Sequence, residues 1–230
     1  MKFYGMQKMT LLDYPGYVAC TLFTGGCNFR CPFCHNALLV LDLDENYTIP
    51  EEEVLAFLKK RQGLLDGVCV TGGEPLINKD IGDFLSKVKE LGFKIKLDTN
   101  GTNPALLKEL VSQNLVDYVA VDIKNSPEKY AETVGLKSFD MSTINETVNF
   151  LMNGSVDYEF RTTVTKQFHT EKSMEEAARF IRGAKRYFLQ NFVDSGNLIG
   201  SGITGQSKEE MEKLLSVVKK YVPDSCLRGI

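Results

Sequence analysis

Cys27, Cys31 and Cys34 fall within the run GCNFRCPFCHN and carry the most specific chemistry in this chain. Cysteine thiolates are soft ligands, and three so closely spaced can each hold one corner of a four-iron, four-sulfur cube. Such cubes ordinarily take four cysteines. With three, one iron keeps an open position for a substrate or cofactor. Structural zinc is a weaker reading, because it pairs two C-x-x-C elements or joins cysteines to distant histidines. Here the only nearby histidine is His35, which directly follows Cys34 and is awkwardly placed to join it. Three reduced thiols in a loop would leave the spacing without a purpose.

The remaining polar groups that could do chemistry are spread along the chain. Thr71-Gly72-Gly73-Glu74-Pro75 reads as a tight strand-to-helix turn, with Pro75 opening the helix. Read functionally, Gly72 and Gly73 let backbone carbonyls approach a ligand, and Glu74 can accept from an ammonium group. Asp98, Asp122 and Lys124 form either a salt-bridge network or a set of contacts for ribose hydroxyls, a cation and a carboxylate. Arg161 is either an ion-pair partner or an anion clamp. Phe33, between Cys31 and Cys34, is packing or a purine contact. His169, in KQFHTEKS, is expected to be solvated or beside a helix cap rather than an acid–base group. Cys20 and Cys69 lie in the apolar runs VACTLF and GVCVTG, where a free thiol behaves as a small hydrophobe.

The elements that must position these groups alternate between two periods. Strands are expected at Tyr17–Phe23, Val68–Thr71, Lys94–Asp98, Tyr118–Ile123, Tyr158–Thr163 and Tyr187–Phe192. Thr48 with Glu51, Ser173 with Glu176, and Ser207 with Glu210 have capping-box spacing, and Asn103-Pro104 is a cap followed by a favoured first helical residue. Ile81, Phe84, Leu85, Val88 and Leu91 keep helical spacing before Gly92. Strand–helix alternation implies parallel strands joined by right-handed crossovers. Six such units predict an α/β fold, a partial (βα)6 TIM-like barrel. The polar residues above fall at the C-terminal ends of those strands, the active-site rim of such barrels.

At 230 residues the chain reads as one domain over 1–230, with a core at about 16–200 and a C-terminal helix over 207–221. Hydrophobic residues make up 43%, which excludes global disorder, and a net charge of −3 gives no reason to expect nucleic acid or a membrane as partner. The run MKFYGMQKMTLLDYPG lacks the apolar core of a signal peptide, so a cytoplasmic, thiol-preserving location is expected. The tail SCLRGI is expected to fray.

Cys27-x-x-x-Cys31-x-x-Cys34 followed by TGGEP after the second strand resembles the radical S-adenosylmethionine (SAM) superfamily. The segment MTLLDYPGYVACTLFTGGCNFRCPFCHN further resembles the activating proteins of anaerobic ribonucleoside-triphosphate reductase. These belong with the activases of glycyl-radical enzymes, which include pyruvate formate-lyase activating enzyme. The resemblance implies that Cys27, Cys31 and Cys34 bind a [4Fe-4S] cluster whose open iron is chelated by S-adenosylmethionine. It implies that Gly72, Gly73 and Glu74 hold the cofactor's amino group, and that Phe33, Cys34 and His35 lie along the adenine. Asp122, Ile123 and Lys124 match an element contacting ribose and carboxylate, and Arg161 an arginine near the carboxylate. Asp98 and Thr99 match a monovalent-cation site. Where some relatives place a cofactor-contacting histidine, this chain has Phe192, whose ring can only stack. It also lacks the cysteine-rich insert of certain activases.

The implied reaction is reductive cleavage of S-adenosylmethionine to methionine and a 5′-deoxyadenosyl radical, with an external donor such as flavodoxin. The radical then removes a hydrogen from a glycine of a partner protein, with anaerobic ribonucleotide reductase favoured. Three readings compete with it: the activase of another glycyl-radical enzyme, a small-molecule enzyme of the 7-carboxy-7-deazaguanine synthase type, and an iron–sulfur electron carrier.

Overall fold

The structure, a computed structural model, describes residues 1–194 and 196–229. The chain gathers into two compact units, the first of residues 1–28 and 38–119 and the second of residues 29–37 and 120–230.

In the first unit, β1 (Lys2–Phe3), β2 (Gly5–Thr10) and β3 (Ala19–Thr24) are followed by α1 (Ala37–Leu41), β4 (Ile49–Pro50) and α2 (Glu51–Lys59). Then come β5 (Gly67–Gly72), α3 (Ile81–Glu90), β6 (Lys94–Thr99) and α4 (Pro104–Ser112). β3, β5 and β6 are parallel neighbours, in register Thr21↔Cys69 and Cys69↔Lys96, and β2 pairs antiparallel with β3. Strands covered on both faces are continuously apolar, and Val68, Cys69 and Val70 are fully buried. α3 buries Ile81, Phe84, Leu85 and Val88 and stops at Gly92, whose φ of 87° suits a residue without a Cβ. Asn103 caps α4 by accepting from the Leu106 N–H, with Pro104 at the first helical position.

The second unit receives the chain within β7 (Tyr118–Asp122), followed by α5 (Tyr130–Thr133), α6 (Ser142–Asn153), β8 (Asp157–Val164), α7 (Glu171–Phe180), β9 (Tyr187–Asn191), α8 (Lys208–Val218) and β10 (Ser225–Arg228). β7 lies beside β8, and β8, β9 and β10 run parallel in that order. The strand–helix units of a partial (βα)6 barrel are thus present, with all six expected strands in place to within two residues at either end.

Several local expectations are corrected. α2 starts after Pro50 with no side-chain cap, because the Thr48 hydroxyl bonds back to the Glu45 carbonyl. α7 is capped three residues earlier than expected: Thr170 and Ser173 exchange the capping-box bonds. The Ser207 cap of α8 is present. The C-terminal segment does not fray through Arg228, because Ser225–Arg228 pairs with β9 and the Arg228 guanidinium forks onto the buried Glu159 carboxylate at 2.7 and 2.9 Å.

Candidate active site

Cys27 belongs to the first unit, Cys31 and Cys34 to the second. All three are free thiols. Cys31 is buried, and Cys27 and Cys34 are partly exposed. The inert cysteines behave otherwise: Cys20 and Cys69 are fully buried, and burial pushes the Cys20 thiol up to about 12.

The first unit supplies one set of groups. Asn100 Nδ2 approaches the Cys27 sulfur at 3.9 Å and donates to the Asn28 side chain at 2.7 Å. The two glycines of TGGEP sit where a side chain cannot. A Cβ on Gly73 would lie 1.9 Å from the Gly26 carbonyl, and one on Gly72, whose φ is 114°, would lie 2.5 Å from Thr24 backbone atoms. The Gly73 N–H donates to the Thr24 carbonyl and the Glu74 N–H to the Gly26 carbonyl, both at 2.8 Å. The glycines therefore fasten the β5 turn to the loop that leads into Cys27. Glu74 is 1% exposed, and its carboxylate accepts from the Leu76 N–H (3.0 Å), the Thr99 hydroxyl (2.7 Å) and the Asn100 N–H (2.6 Å). It thereby fixes the turn after β6. Asp98, two residues past Lys96 on β6, is paired with the Lys96 ammonium.

The second unit supplies the other set. The Cys34 N–H closes a turn onto the Cys31 carbonyl at 3.0 Å, and Gly200 donates to the Pro32 carbonyl at 2.8 Å. Asp122, at the end of β7, accepts from Arg161 Nε (3.0 Å) and Lys124 Nζ (3.1 Å). Burial pushes the Asp122 carboxyl up, but Arg161 and Lys124 together outweigh it and hold the group well below the usual carboxylate range. The Lys124 ammonium has the mirror-image balance: burial lowers its pKa, and Asp122 and Cys31 raise it above the ordinary lysine value. Ile123 is fully buried and donates its N–H to the Arg161 carbonyl at 2.8 Å.

The aromatic groups divide by exposure. Phe33 is buried against Phe168 and His169, with ring centroids 5.8 and 6.0 Å away. His35 is exposed and stacks on Phe192 at 5.0 Å and 17°. Phe192 is thus stacked on a side chain of the protein itself.

His169 lies beside the Thr170 cap of α7, as expected, but it is buried rather than solvated. It is 1% exposed, and both ring nitrogens are engaged. The Thr165 N–H donates to Nδ1 at 3.0 Å, so the proton sits on Nε2, 2.8 Å from the Lys124 carbonyl. Burial drives its pKa down to about 4. Asn125 is fixed alongside by bonds to the Phe168 carbonyl and the Thr133 hydroxyl. His169 therefore ties the segment after β7 to the loop after β8, and Lys96 does the same kind of work on β6. Lys96 did not stand out in the sequence, and His169 stood out only as a histidine in a polar run. For Lys96 the available signal was the i, i+2 spacing with Asp98, which puts both on one face of a strand.

The sequence profile of the Radical SAM superfamily matches residues 21–218. The chain belongs to that superfamily. It is an enzyme of the radical SAM class, with the α/β fold of that class. A Methanocaldococcus jannaschii protein, provisionally named glycyl-radical enzyme activating enzyme MJ1227, is 30% identical over 98% of this chain and 95% of its own. The 7-carboxy-7-deazaguanine synthase of Koribacter versatilis is 27% identical over 64% of this chain and 62% of its own. Among solved structures, Streptococcus suis SuiB bound to S-adenosylmethionine superposes with a TM-score of 0.70 at 16% identity, over 91% of this chain and 52% of SuiB. A domain of pyruvate-formate lyase-activating enzyme from Bacteroides vulgatus superposes with a TM-score of 0.58 at 18% identity, over 71% of this chain and 99% of that domain. These two share the fold.

Superfamily membership implies a [4Fe-4S] cluster and S-adenosylmethionine. The donor set fits the cluster: three unoxidised thiols, one beside a lysine ammonium and one approached by an amide donor. Among the described residues no three His, Cys, Asp or Glu side chains converge on a single ion. A cube asks for a different arrangement, one thiolate on each of three separate irons. No helix among the described residues is long and apolar enough to cross a membrane.

Proposed function

We propose that this enzyme activates a glycyl-radical enzyme, with anaerobic ribonucleoside-triphosphate reductase as the partner. The observation that carries this reading is the similarity to the M. jannaschii protein along nearly the whole length of both chains, whereas that to the deazaguanine synthase covers 64% of this one. The segment LLDYPG through CHN, which precedes and contains the cysteine motif, supports the choice of partner.

In this reading Cys27, Cys31 and Cys34 each hold one iron of the cluster. When bound, the cluster and S-adenosylmethionine supply one-electron cleavage of the sulfonium, giving methionine and a hydrogen-abstracting 5′-deoxyadenosyl group. The chain's own residues bind and orient. Lys124 and Arg161, two cations sharing one carboxylate, leave a net positive charge for the cofactor's carboxylate. Asp122 accepts from a ribose hydroxyl while remaining ionised. Phe33, Cys34 and His35 lie along the adenine, with Phe192 stacked behind His35. Gly72, Gly73 and Glu74 hold the loop toward the cofactor's ammonium, and Ile123 anchors the Asp122–Lys124 segment to β8. The electron donor is a flavodoxin-type protein, and the setting is the anaerobic cytoplasm.

Hydrogen transfer tests this reading. The reductase, labelled with deuterium at its glycine α-carbons, is mixed anaerobically with the reconstituted enzyme, reductant and S-adenosylmethionine. The expected result is deuterium in 5′-deoxyadenosine, since the glycine C–D bond breaks as the 5′ C–D bond forms. Unlabelled 5′-deoxyadenosine, formed equally with and without the reductase, would overturn it in favour of a small-molecule substrate.

A further inference from the structure

The residues expected to hold a monovalent cation do not fit one. The Asp98 carboxylate already carries the Lys96 ammonium. The Thr99 hydroxyl donates to Glu74 Oε1 at 2.7 Å and accepts from the Gly101 N–H at 3.1 Å, so its hydrogen-bonding directions serve the turn. No three His, Cys, Asp or Glu side chains gather there among the described residues.

What occupies the place is a lysine in an unusual position. Thr21, Cys69 and Lys96 form one row across β3, β5 and β6, and each is 1% exposed or less. Parallel strands covered on both faces favour Val, Ile or Leu at such a position, and burying an ammonium among them carries a large desolvation cost. The Lys96 side chain is 2% exposed, and its ammonium points along the strand to Asp98, with the Cys69 sulfur 3.9 Å away. An ammonium has three donors, and Asp98 and Cys69 account for two.

We propose that Lys96 is a built-in monovalent cation. Its ammonium, seated on Asp98 at the C-terminal end of β6, replaces a bound metal ion and offers positive charge to the carboxylate of S-adenosylmethionine. The ligand's identity rests on the functional reading above; the replacement of the ion does not. A K⁺ ion and an ammonium are alike in charge and similar in size. The ammonium is covalently tethered, so occupancy is independent of the salt around the protein.

The test compares wild type with Lys96→Met in potassium, sodium and tetramethylammonium chloride at constant ionic strength. One readout is S-adenosylmethionine affinity of the reconstituted protein by calorimetry; the other is the thermal unfolding midpoint without S-adenosylmethionine. Wild type is expected to show the same affinity and midpoint in all three salts. Lys96→Met in tetramethylammonium is expected to bind about tenfold more weakly, the loss of one charge-assisted interaction. Potassium should recover most of that affinity and raise the midpoint of this variant. The double variant Lys96→Met/Asp98→Asn removes both charges and should fold without any response to potassium. Should the single variant fail to fold, wild type and double variant decide. A potassium-dependent wild type, an indifferent Lys96→Met, or a potassium-responsive double variant would each overturn the proposal. Wild type that binds no S-adenosylmethionine in any salt would instead overturn the cofactor reading, and the unfolding midpoints would still decide the role of Lys96.

Discussion

Glu74 lies just past the C-terminal end of β5 and Asp122 is the last residue of β7, one in each unit, and their carboxylates are satisfied differently. Glu74 accepts from two backbone N–H groups and one hydroxyl, all neutral. Asp122 accepts from Arg161 and Lys124, both charged. Neutral donors orient the Glu74 carboxylate and fix the turn after β6. Charged donors add Coulombic attraction, which outweighs burial and keeps the Asp122 carboxyl ionised. The Glu74 side is held by glycines that nothing larger can replace, whereas the Asp122 side is held by charge balance.

The contrast predicts unequal costs for matched neutralisations. Asp122→Asn leaves Lys124 and Arg161 facing each other with no anion between them, and should destabilise the protein by about 3 kcal/mol. Glu74→Gln keeps an acceptor oxygen but turns an NH₂ toward backbone donors, and should cost about 2 kcal/mol. Denaturant unfolding at neutral pH checks both, and equal costs would break the comparison.

A second prediction separates His169 from both carboxylates. Its folded pKa of about 4 lies below the ordinary value of 6.5. The unfolded chain therefore binds a proton that the folded one refuses between these values. Stability from this group is complete above about pH 6.5 and is lost as pH falls toward 4, by as much as about 3 kcal/mol. His169→Gln keeps an acceptor and a donor but cannot titrate, so this part of the acid limb should flatten in unfolding curves measured from pH 7 to 4. An unchanged limb would remove His169 from the account.

The smallest effect is expected at the aromatic pair. Phe192→Leu keeps an apolar side chain and removes the stacked face against His35. S-adenosylmethionine affinity should fall about threefold, in line with the modest worth of an aromatic pair. Calorimetry on the reconstituted protein checks it, and an unaltered affinity would confine the pair to the fold.

Much of this arrangement was legible from residue type and period. The six expected strands announced themselves as short β-branched runs between helical patterns, and the cysteine spacing named its chemistry. The edges were not legible. Gly5–Thr10 reads GMQKMT and Ser225–Arg228 reads SCLR, and neither run alternates or is apolar throughout, so pairing with a neighbour decides their conformation. His169 sits in a polar run that looks like a solvated turn, and only the approach of residues 124 and 33 buries it. Lys96 was hidden for a related reason: a lysine in a strand reads as solvent-facing until both faces are known to be covered. The role of Gly72 and Gly73 was legible as a need for small residues, but their neighbour proved to be the chain's own backbone.

The most direct test of the central claim is an anaerobic electron paramagnetic resonance spectrum of the ribonucleotide reductase mixed with reconstituted enzyme, reductant and S-adenosylmethionine. The account predicts a glycyl-radical doublet on the reductase that is absent when Cys27, Cys31 or Cys34 is replaced by alanine. An intact cluster that releases 5′-deoxyadenosine and leaves the reductase without a doublet would contradict it.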